Sequence, residues 1–456
     1  MSVAAAGVDR MRLAELRARE EAAFASARPI SARSATAARA HLLGGVPMPW
    51  MTRWPGAFPL FMKSAAGGRV TDVDGIEYID FCLGDTGAMS GHALPAVAEA
   101  IAAQARRGVT TMLPSDDAAW VGAELGRRFG LPFWQFATSA TDANRFVLRI
   151  ARHVAARPTI LVFDWCYHGT VDETLVTLDA AGRVVPRGGN LGAAFDPAAT
   201  TKVVQFNDLD ALEAALAGRD VACVLTEPAL TNIGIVLPDP GFHERLREIT
   251  RATGTLLVID ETHTICAGPG GATALWNLEP DFVVIGKPIG GGIACAAYGT
   301  SAAIAERLRD DLRDDAIDVS GIGGTLAGNA LALAAMRATL STALGHDDFA
   351  RTIPLAQRWA GGVADAIAVA GLPWSVQQFG ARAEYWFGRA PANGREAAAA
   401  IDHDLEAFMH LYALNRGVLL TPFHNMALLA PAHTDADVDA HARIFAAAVA
   451  ELTGRA

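Results

Sequence analysis

Leu256-Leu257-Val258-Ile259-Asp260-Glu261, followed by Phe282-Val283-Val284-Ile285-Gly286-Lys287-Pro288-Ile289-Gly290-Gly291-Gly292, is the stretch that decides the fold. Two short apolar runs, rich in branched residues, each end close to a charged side chain, which is how strands buried on both faces read. Asp260 precedes Lys287 by 27 residues, enough for one crossover between neighbouring parallel strands. The two charges then stand at the carboxyl ends of strands, where open α/β sheets bind their ligands.

Moving outward, Ile160 to Phe163 and Val221 to Leu225 have the same length and composition. Between these runs lie helix candidates at Ala143 to Ala155, Leu209 to Ala217 and Gly241 to Thr253. The alternation predicts an α/β domain with a largely parallel sheet. After about Leu326 the pattern changes to a long Ala/Leu-rich helix, a strand-like stretch at Ala383 to Phe387, a helix around Ala398 to Asn415, and Val418 to Thr421. We expect an N-terminal segment (residues 1–70) that packs with a small α+β domain (326–456), and a large domain between them (71–325). Arg10 to Glu21 reads as a surface helix. Gly182 to Pro197 reads as a loop long enough to be a lid or a mobile insert.

Bulk composition narrows the function. A chain of 456 residues, 51% hydrophobic, can bury large cores. Its formal net charge of −11 disfavours coating nucleic acid or an anionic membrane, so a small-molecule substrate is expected. Five scattered cysteines without a C-x-x-C pair argue against a zinc site or a disulfide framework and fit a reducing cytoplasm. The uncharged stretches Pro288 to Ala305 and Val319 to Met336 are broken by glycines and do not read as membrane spans.

Lysine is scarce: only Lys63, Lys202 and Lys287 occur, and arginine supplies nearly all the remaining positive charge. Arginine keeps its proton, whereas a partly buried lysine can lose it, and only a neutral amine attacks a carbonyl. A surface position accounts for Lys63 and Lys202. Lys287 enters a glycine run at a strand end, where backbone can approach a ligand, although a surface-loop lysine would also fit there.

Other residues join it. Asp260 ends a strongly apolar strand, and a buried carboxylate needs a cation. A protonated pyridine nitrogen would serve; a helix cap or a metal ligand is the alternative. Ser139-Ala140-Thr141-Asp142-Ala143 and Gly323-Gly324-Thr325 each read as opening a helix, where hydroxyls and free N–H groups favour a phosphate or simply cap the helix. Trp165-Cys166-Tyr167-His168-Gly169 follows another strand end and offers an aromatic to stack on a flat ring, or a core aromatic.

Together with Glu227-Pro228, Asn232, Gly234 and Gly328-Asn329, these motifs resemble the class III aminotransferases, most nearly the glutamate-1-semialdehyde aminomutase-like branch. The resemblance runs from Asp72 and Gly75 to Asp435 and Asp437. It implies the fold type I of pyridoxal-phosphate-dependent transferases, with a mostly parallel seven-stranded sheet and a smaller α+β domain, in a homodimer with shared active sites. It implies pyridoxal 5'-phosphate as cofactor, held as a Schiff base on Lys287, which also transfers protons. Asp260 would partner the pyridine nitrogen, and Tyr167 would stack on the ring beside His168. Ser139, Ala140 and Thr141 would bind the phosphate, with Thr325 reaching that of the neighbouring subunit. Glu227 and Asn232 would lie near the ring hydroxyl. Ala140 stands where the family usually has glycine, Asp142 where glutamate is commoner, and Thr262 where a small apolar residue often packs on the ring.

The expected activity is transamination from an amine or amino acid donor to a keto or aldehyde acceptor. An aminomutase or racemase is the alternative. Relatives acting on carboxylated amines commonly use an arginine clamp. Neither Gly44-Gly45-Val46-Pro47-Met48 nor Thr421-Pro422-Phe423-His424-Asn425 offers one. Asp85, Arg382, His424 and Trp54 are the candidate substrate residues, with structural ion pairs or packing as their other explanation. A nucleotide-binding protein is disfavoured, because no phosphate-loop or dinucleotide fingerprint is present.

Overall fold

The computed structural model describes residues 7–192, 196–309 and 321–454. The chain divides into two compact units: one of Met1–Leu94, Asp347–Ala390 and Ala399–Ala456, the other of Pro95–His346 and Pro391–Ala398.

The central unit is built on a seven-stranded sheet. In spatial order its strands are Phe133–Ala137, Ala296–Thr300, Phe282–Ile285, Leu256–Asp260, Val221–Thr226, Thr159–Phe163 and Thr201–Val204. Ala296–Thr300 runs antiparallel to both neighbours. The pairs from Phe282–Ile285 across to Thr201–Val204 are parallel. Val221–Thr226 and Phe282–Ile285 are buried along their whole length, which is why they read as unbroken apolar runs. Helices Ala140–Ala155, Leu209–Leu216 and Phe242–Thr253 lie close to the expected positions.

The differences have local causes. The helix expected from Ala143 begins at Ala140, because Ser139 takes an extended backbone and accepts a hydrogen bond from Asp142 N. The helix after Leu326 spans Ala330–Thr342 and is capped by Asn329, whose side chain accepts from Ala332 N at 2.9 Å. Gly323, Gly324 and Thr325 therefore do not open that helix; they lie in the loop before it. The first part of the Gly182 to Pro197 stretch closes a hairpin of Val176–Leu178 with Val184–Pro186. Residues 193–195 and 310–320 lie outside the described residues.

The other unit carries a four-stranded sheet of Met62–Ala66, Arg69–Asp72, Glu77–Asp80 and Val418–Leu419, and a three-stranded sheet of Ser375–Phe379, Arg382–Trp386 and Met426–Leu428. Its core gathers Trp359, Tyr385, Phe408 and Phe445. The N-terminal helix Arg10–Ala27 buries Leu13, Leu16 and Phe24 on one side. The helix expected around Ala398 to Asn415 is two helices, Gly394–Ala399 and His403–Leu414. Asp402 between them caps the second by accepting from Leu405 N. No described helix is long and apolar enough to cross a membrane.

Candidate active site

The site is assembled where adjacent parallel strands end. Pairing of Leu256–Asp260 with Phe282–Ile285 continues one step beyond the strand, through Glu261 N donating to Val284 O at 2.8 Å. This sets residues 261–263 beside residues 286–287. Gly286 N donates to Thr262 Oγ1 at 3.2 Å. Gly286 also meets the start of the Ala140–Ala155 helix so closely that a Cβ there would lie 3.0 Å from Ala140 Cβ. Lys287 follows with φ of 47°, a left-handed conformation that costs energy outside glycine and is retained where surroundings enforce it. Its Nζ lies 2.9 Å from His263 Nε2.

Asp260 is 4% exposed. Its Oδ2 meets Asn144 Nδ2 at 2.9 Å and His168 Nδ1 at 3.0 Å, and its Oδ1 accepts from Thr262 N at 3.1 Å. Burial favours the neutral acid, but the His168 contact and the Thr262 and Asn144 hydrogen bonds outweigh it, so the carboxyl titrates below the usual aspartate range. Burial likewise opposes the imidazolium of His168, yet Cys166 and Asp260 beside it push its pKa up to about 10. The pair is thus an anion and a cation that compensate each other inside the protein. Glu227 is also buried, and burial raises its pKa even though Thr231 N donates to it at 3.0 Å. Glu261, next to Asp260, anchors its loop: it accepts from Thr264 Oγ1 at 2.6 Å and from Ala272 N at 3.2 Å.

The helix Ala140–Ala155 supplies the second half of the site. Its first N–H groups have no partner within the helix, which makes this end an anion-binding position. Ser139 Oγ donates to Asp142 Oδ2 at 2.9 Å, so the Asp142 carboxylate is turned back onto the cap. Thr141 Oγ1 accepts from Thr170 N at 3.0 Å. Gly169 presses so near that a Cβ there would lie 2.2 Å from that oxygen. Tyr167, half-buried, sits in the same loop after the Thr159–Phe163 strand. Asn232 forms an isolated bridge with Gly234, and Thr325 is exposed.

Residues 50–357 match the family model of class-III aminotransferases. The chain belongs to that family. It is 35% identical over 417 residues to a glutamate-1-semialdehyde 2,1-aminomutase of Chloroflexus aggregans, covering 88% of this chain and 93% of that one. Among solved structures, a glutamate-1-semialdehyde-aminomutase from Pseudomonas aeruginosa PAO1 superposes with a TM-score of 0.96 at 54% identity, covering 98% of this chain and 100% of that one. A lysine-to-alanine variant of it is known in complex with PMP. An omega-transaminase from Sphaerobacter thermophilus matches with a TM-score of 0.84 at 27% identity, over 93% of this chain and 98% of that one.

A class-III aminotransferase carries pyridoxal phosphate, and the donor set of this chain fits it. Three buried polar atoms around Asp260 and Glu227, namely Asn144 Oδ1, His168 Nε2 and Glu227 Oε1, have no hydrogen-bond partner among the described residues. Beside them stand a carboxylate held anionic, an amine, and a helix start suited to phosphate. No group of three or more His, Cys, Asp or Glu side chains among the described residues could hold a metal.

Two members of this constellation carry little signal in the sequence. Asn144, fully buried, joins Asp260 to the His168 carbonyl, which it meets at 3.1 Å. It is one polar residue on a helix, and only the cap at Ser139 hints at which face it takes. His263 is a single histidine after Asp260-Glu261-Thr262, and its approach to Lys287 depends on the strand register.

The candidate substrate residues all lie in the other unit. Arg382 is 1% exposed; its guanidinium donates to Thr86 Oγ1 at 3.1 Å and stands 4.0 Å from Asp85 Oδ1. His424 Nδ1 lies 3.4 Å from Glu384 Oε1. Trp54 is half-buried against the cluster of Phe24, Tyr78 and Leu411.

Proposed function

We propose that the chain is an intramolecular aminomutase acting on a small amino aldehyde of the glutamate-1-semialdehyde kind. The observation that carries this reading is the 54% identity, sustained over 98% of the chain, with a protein of that name. The curated relatives at 32–35% identity support it as well. When bound, pyridoxal phosphate supplies an electron sink that lets a neighbouring C–H bond release its proton.

The residues then divide the work. Ser139, Ala140 and Thr141 hold the phosphate at the helix start. Asp260, kept anionic by His168, Asn144 and Thr262 N, would partner the ring nitrogen and favour its protonated form. Tyr167 would stack on the ring, Thr262 would pack against it, and Glu227 and Asn232 would serve its hydroxyl. Lys287 would hold the cofactor through its amine and, with that amine free, would take a proton from one substrate carbon and return a proton to the other through Nζ. Arg382 with Asp85, His424 and Trp54 are proposed to set substrate choice, and Thr325 to contact the phosphate of a second copy in a homodimer.

One specific observation favours a second reading, transamination of a donor that lacks a carboxylate. The stretch Gly44 to Met48 offers no arginine for a substrate carboxylate. The deciding experiment supplies glutamate-1-semialdehyde alone. Isomer formed in many-fold excess over enzyme is the expected result. Stoichiometric conversion of the cofactor to its amine form, with release of a keto product and no further turnover until an amino acceptor is added, would establish the transaminase instead.

A further inference from the structure

The loop from Asp164 to Thr170 leaves the end of the Thr159–Phe163 strand and carries Tyr167 and His168 into the site. Its course is tightly constrained. Trp165 takes a φ of 64°, a left-handed conformation that is costly for so bulky a residue, and Cys166 N donates back to Phe163 O at 3.1 Å. Farther on, Asn144 Nδ2 donates to His168 O at 3.1 Å, and Thr141 Oγ1 accepts from Thr170 N at 3.0 Å. Both of these contacts come from the Ala140–Ala155 helix and fix the loop beyond Tyr167. The peptide that leads into Tyr167 is held from another direction.

That hold comes from the hairpin of Val176–Leu178 with Val184–Pro186. Arg187 N donates to Leu175 O at 2.9 Å and so extends the hairpin by one step. The hairpin is fastened in turn to the strand end, because Asp164 Oδ1 accepts from Thr177 Oγ1 at 2.7 Å and from Leu178 N at 3.2 Å. On this frame sits the Arg187 side chain, 9% exposed. Its Nη2 donates to Cys166 O at 2.6 Å and to Val176 O at 3.3 Å, and its guanidinium carbon lies 5.4 Å from the centroid of the Trp165 ring. One buried cation thus grips the two residues that precede Tyr167. A hydrogen bond from a charged donor is stronger than a neutral one, and burial spares it competition from water.

We propose that Arg187 is the positioning residue of Tyr167, bracing the Cys166–Tyr167 peptide so that the aromatic side chain is already aimed when the cofactor arrives. This rests on the reading of Tyr167 as the side chain that stacks on the cofactor ring. The Cys166 carbonyl and the Tyr167 amide share one peptide plane, so holding the carbonyl sets the rotation of that plane and the direction in which the Tyr167 side chain leaves the backbone. Without the brace the plane can turn, and the cost of ordering the aromatic falls on cofactor binding.

The test is a double-mutant cycle on the full-length chain, with apoprotein titrated with pyridoxal phosphate and the circular dichroism of the bound cofactor's visible band recorded alongside. Arg187→Met keeps the apolar stem and removes the donor. It is expected to weaken binding about tenfold, the effect of losing a charge-assisted hydrogen bond, and to diminish the dichroism of the bound cofactor. Arg187→Lys restores a charged donor and should return affinity to within about threefold of wild type. In a Tyr167→Ala background, Arg187→Met should change affinity less than about twofold, because the side chain it positions is gone. A brace that merely stabilised the fold would instead weaken binding by the same factor in both backgrounds, and that result would overturn the proposal. If Arg187→Met does not melt cooperatively, Arg187→Gln replaces it, since glutamine ends where the arginine Nε stands and falls short of the Cys166 carbonyl. Should Tyr167→Ala bind like wild type, the stacking assignment fails and the brace fails with it. Should Tyr167→Ala be weakened while Arg187→Met binds like wild type, the stacking stands and the brace alone fails.

Discussion

At the scale of single residues, the site depends on which proton sits where. Lys287→Ala removes the residue proposed as both covalent anchor and proton carrier, so turnover is expected to fall at least about a thousandfold. The cofactor should become removable by gel filtration, which absorbance of the desalted protein checks directly. Lys287→Arg should do no better, because guanidinium keeps its proton. The His168–Asp260 pair makes a separate prediction about pH. His168 has a pKa raised to about 10 in the folded protein, so its contribution is fully present below the ordinary histidine value and is lost as pH rises toward 10. Asp260 has a lowered pKa, so its contribution is present above the ordinary aspartate value and is lost in acid. Wild type should therefore exceed His168→Gln in melting temperature at pH 6 to 7, by an amount worth on the order of a few kcal/mol. The gap should narrow between about pH 6.5 and 10 as the folded protein gives up the imidazolium. A gap that widens with alkalinity would contradict the charged pair.

At the scale of elements, close approaches between loops and helix starts hold the cluster together, and glycine permits them. Gly169 has a φ of +80°, and its missing Cβ leaves room for Thr141 Oγ1. Gly169→Ala is expected to cost about 1–3 kcal/mol of stability through backbone strain. It should also weaken cofactor binding by displacing the Thr141 hydroxyl, measurable by titrating apoprotein with pyridoxal phosphate. Much of this level was legible beforehand. The apolar runs ending at Asp260 and before Lys287 are strands because neither face meets water, and burial leaves that mark in composition. Thr325 was misplaced at a helix start because Gly-Gly-Thr and Asn329 both look like helix openings, and the amide of Asn329 is the group that actually accepts from Ala332 N. The merged helix around Ala398 failed for a related reason: alanine-rich sequence hides a break made by the capping side chain of Asp402. His263 and Asn144 were not legible because their partners lie 24 and 116 residues away and are fixed by register and helix rotation.

At the scale of the whole molecule, most apolar side chains are inside, but several large ones are exposed. Met112, Leu113 and Leu326 are 74%, 73% and 58% exposed, and Val109 is partly exposed beside them in sequence. The two loops that carry them are tied together by Ala330 N donating to Val109 O at 3.0 Å. Apolar groups gathered in this way mark an interaction surface rather than scattered exposure. A second copy of the chain is the occupant proposed here, since Thr325 adjoins Leu326 and is the residue proposed to reach the phosphate of a neighbouring subunit. Leu326→Glu places a charge where an isologous contact would bury it twice, once from each copy. The expected outcome is a particle of half the wild-type mass in sedimentation velocity, with cofactor affinity reduced because the phosphate loses its contact from Thr325 of the second copy. Thr325→Ala separates the two effects: it should leave the mass unchanged while still lowering cofactor affinity. If Leu326→Glu and wild type sediment alike and retain cofactor equally, the loops around Val109 and Leu326 are not the surface through which two sites are shared.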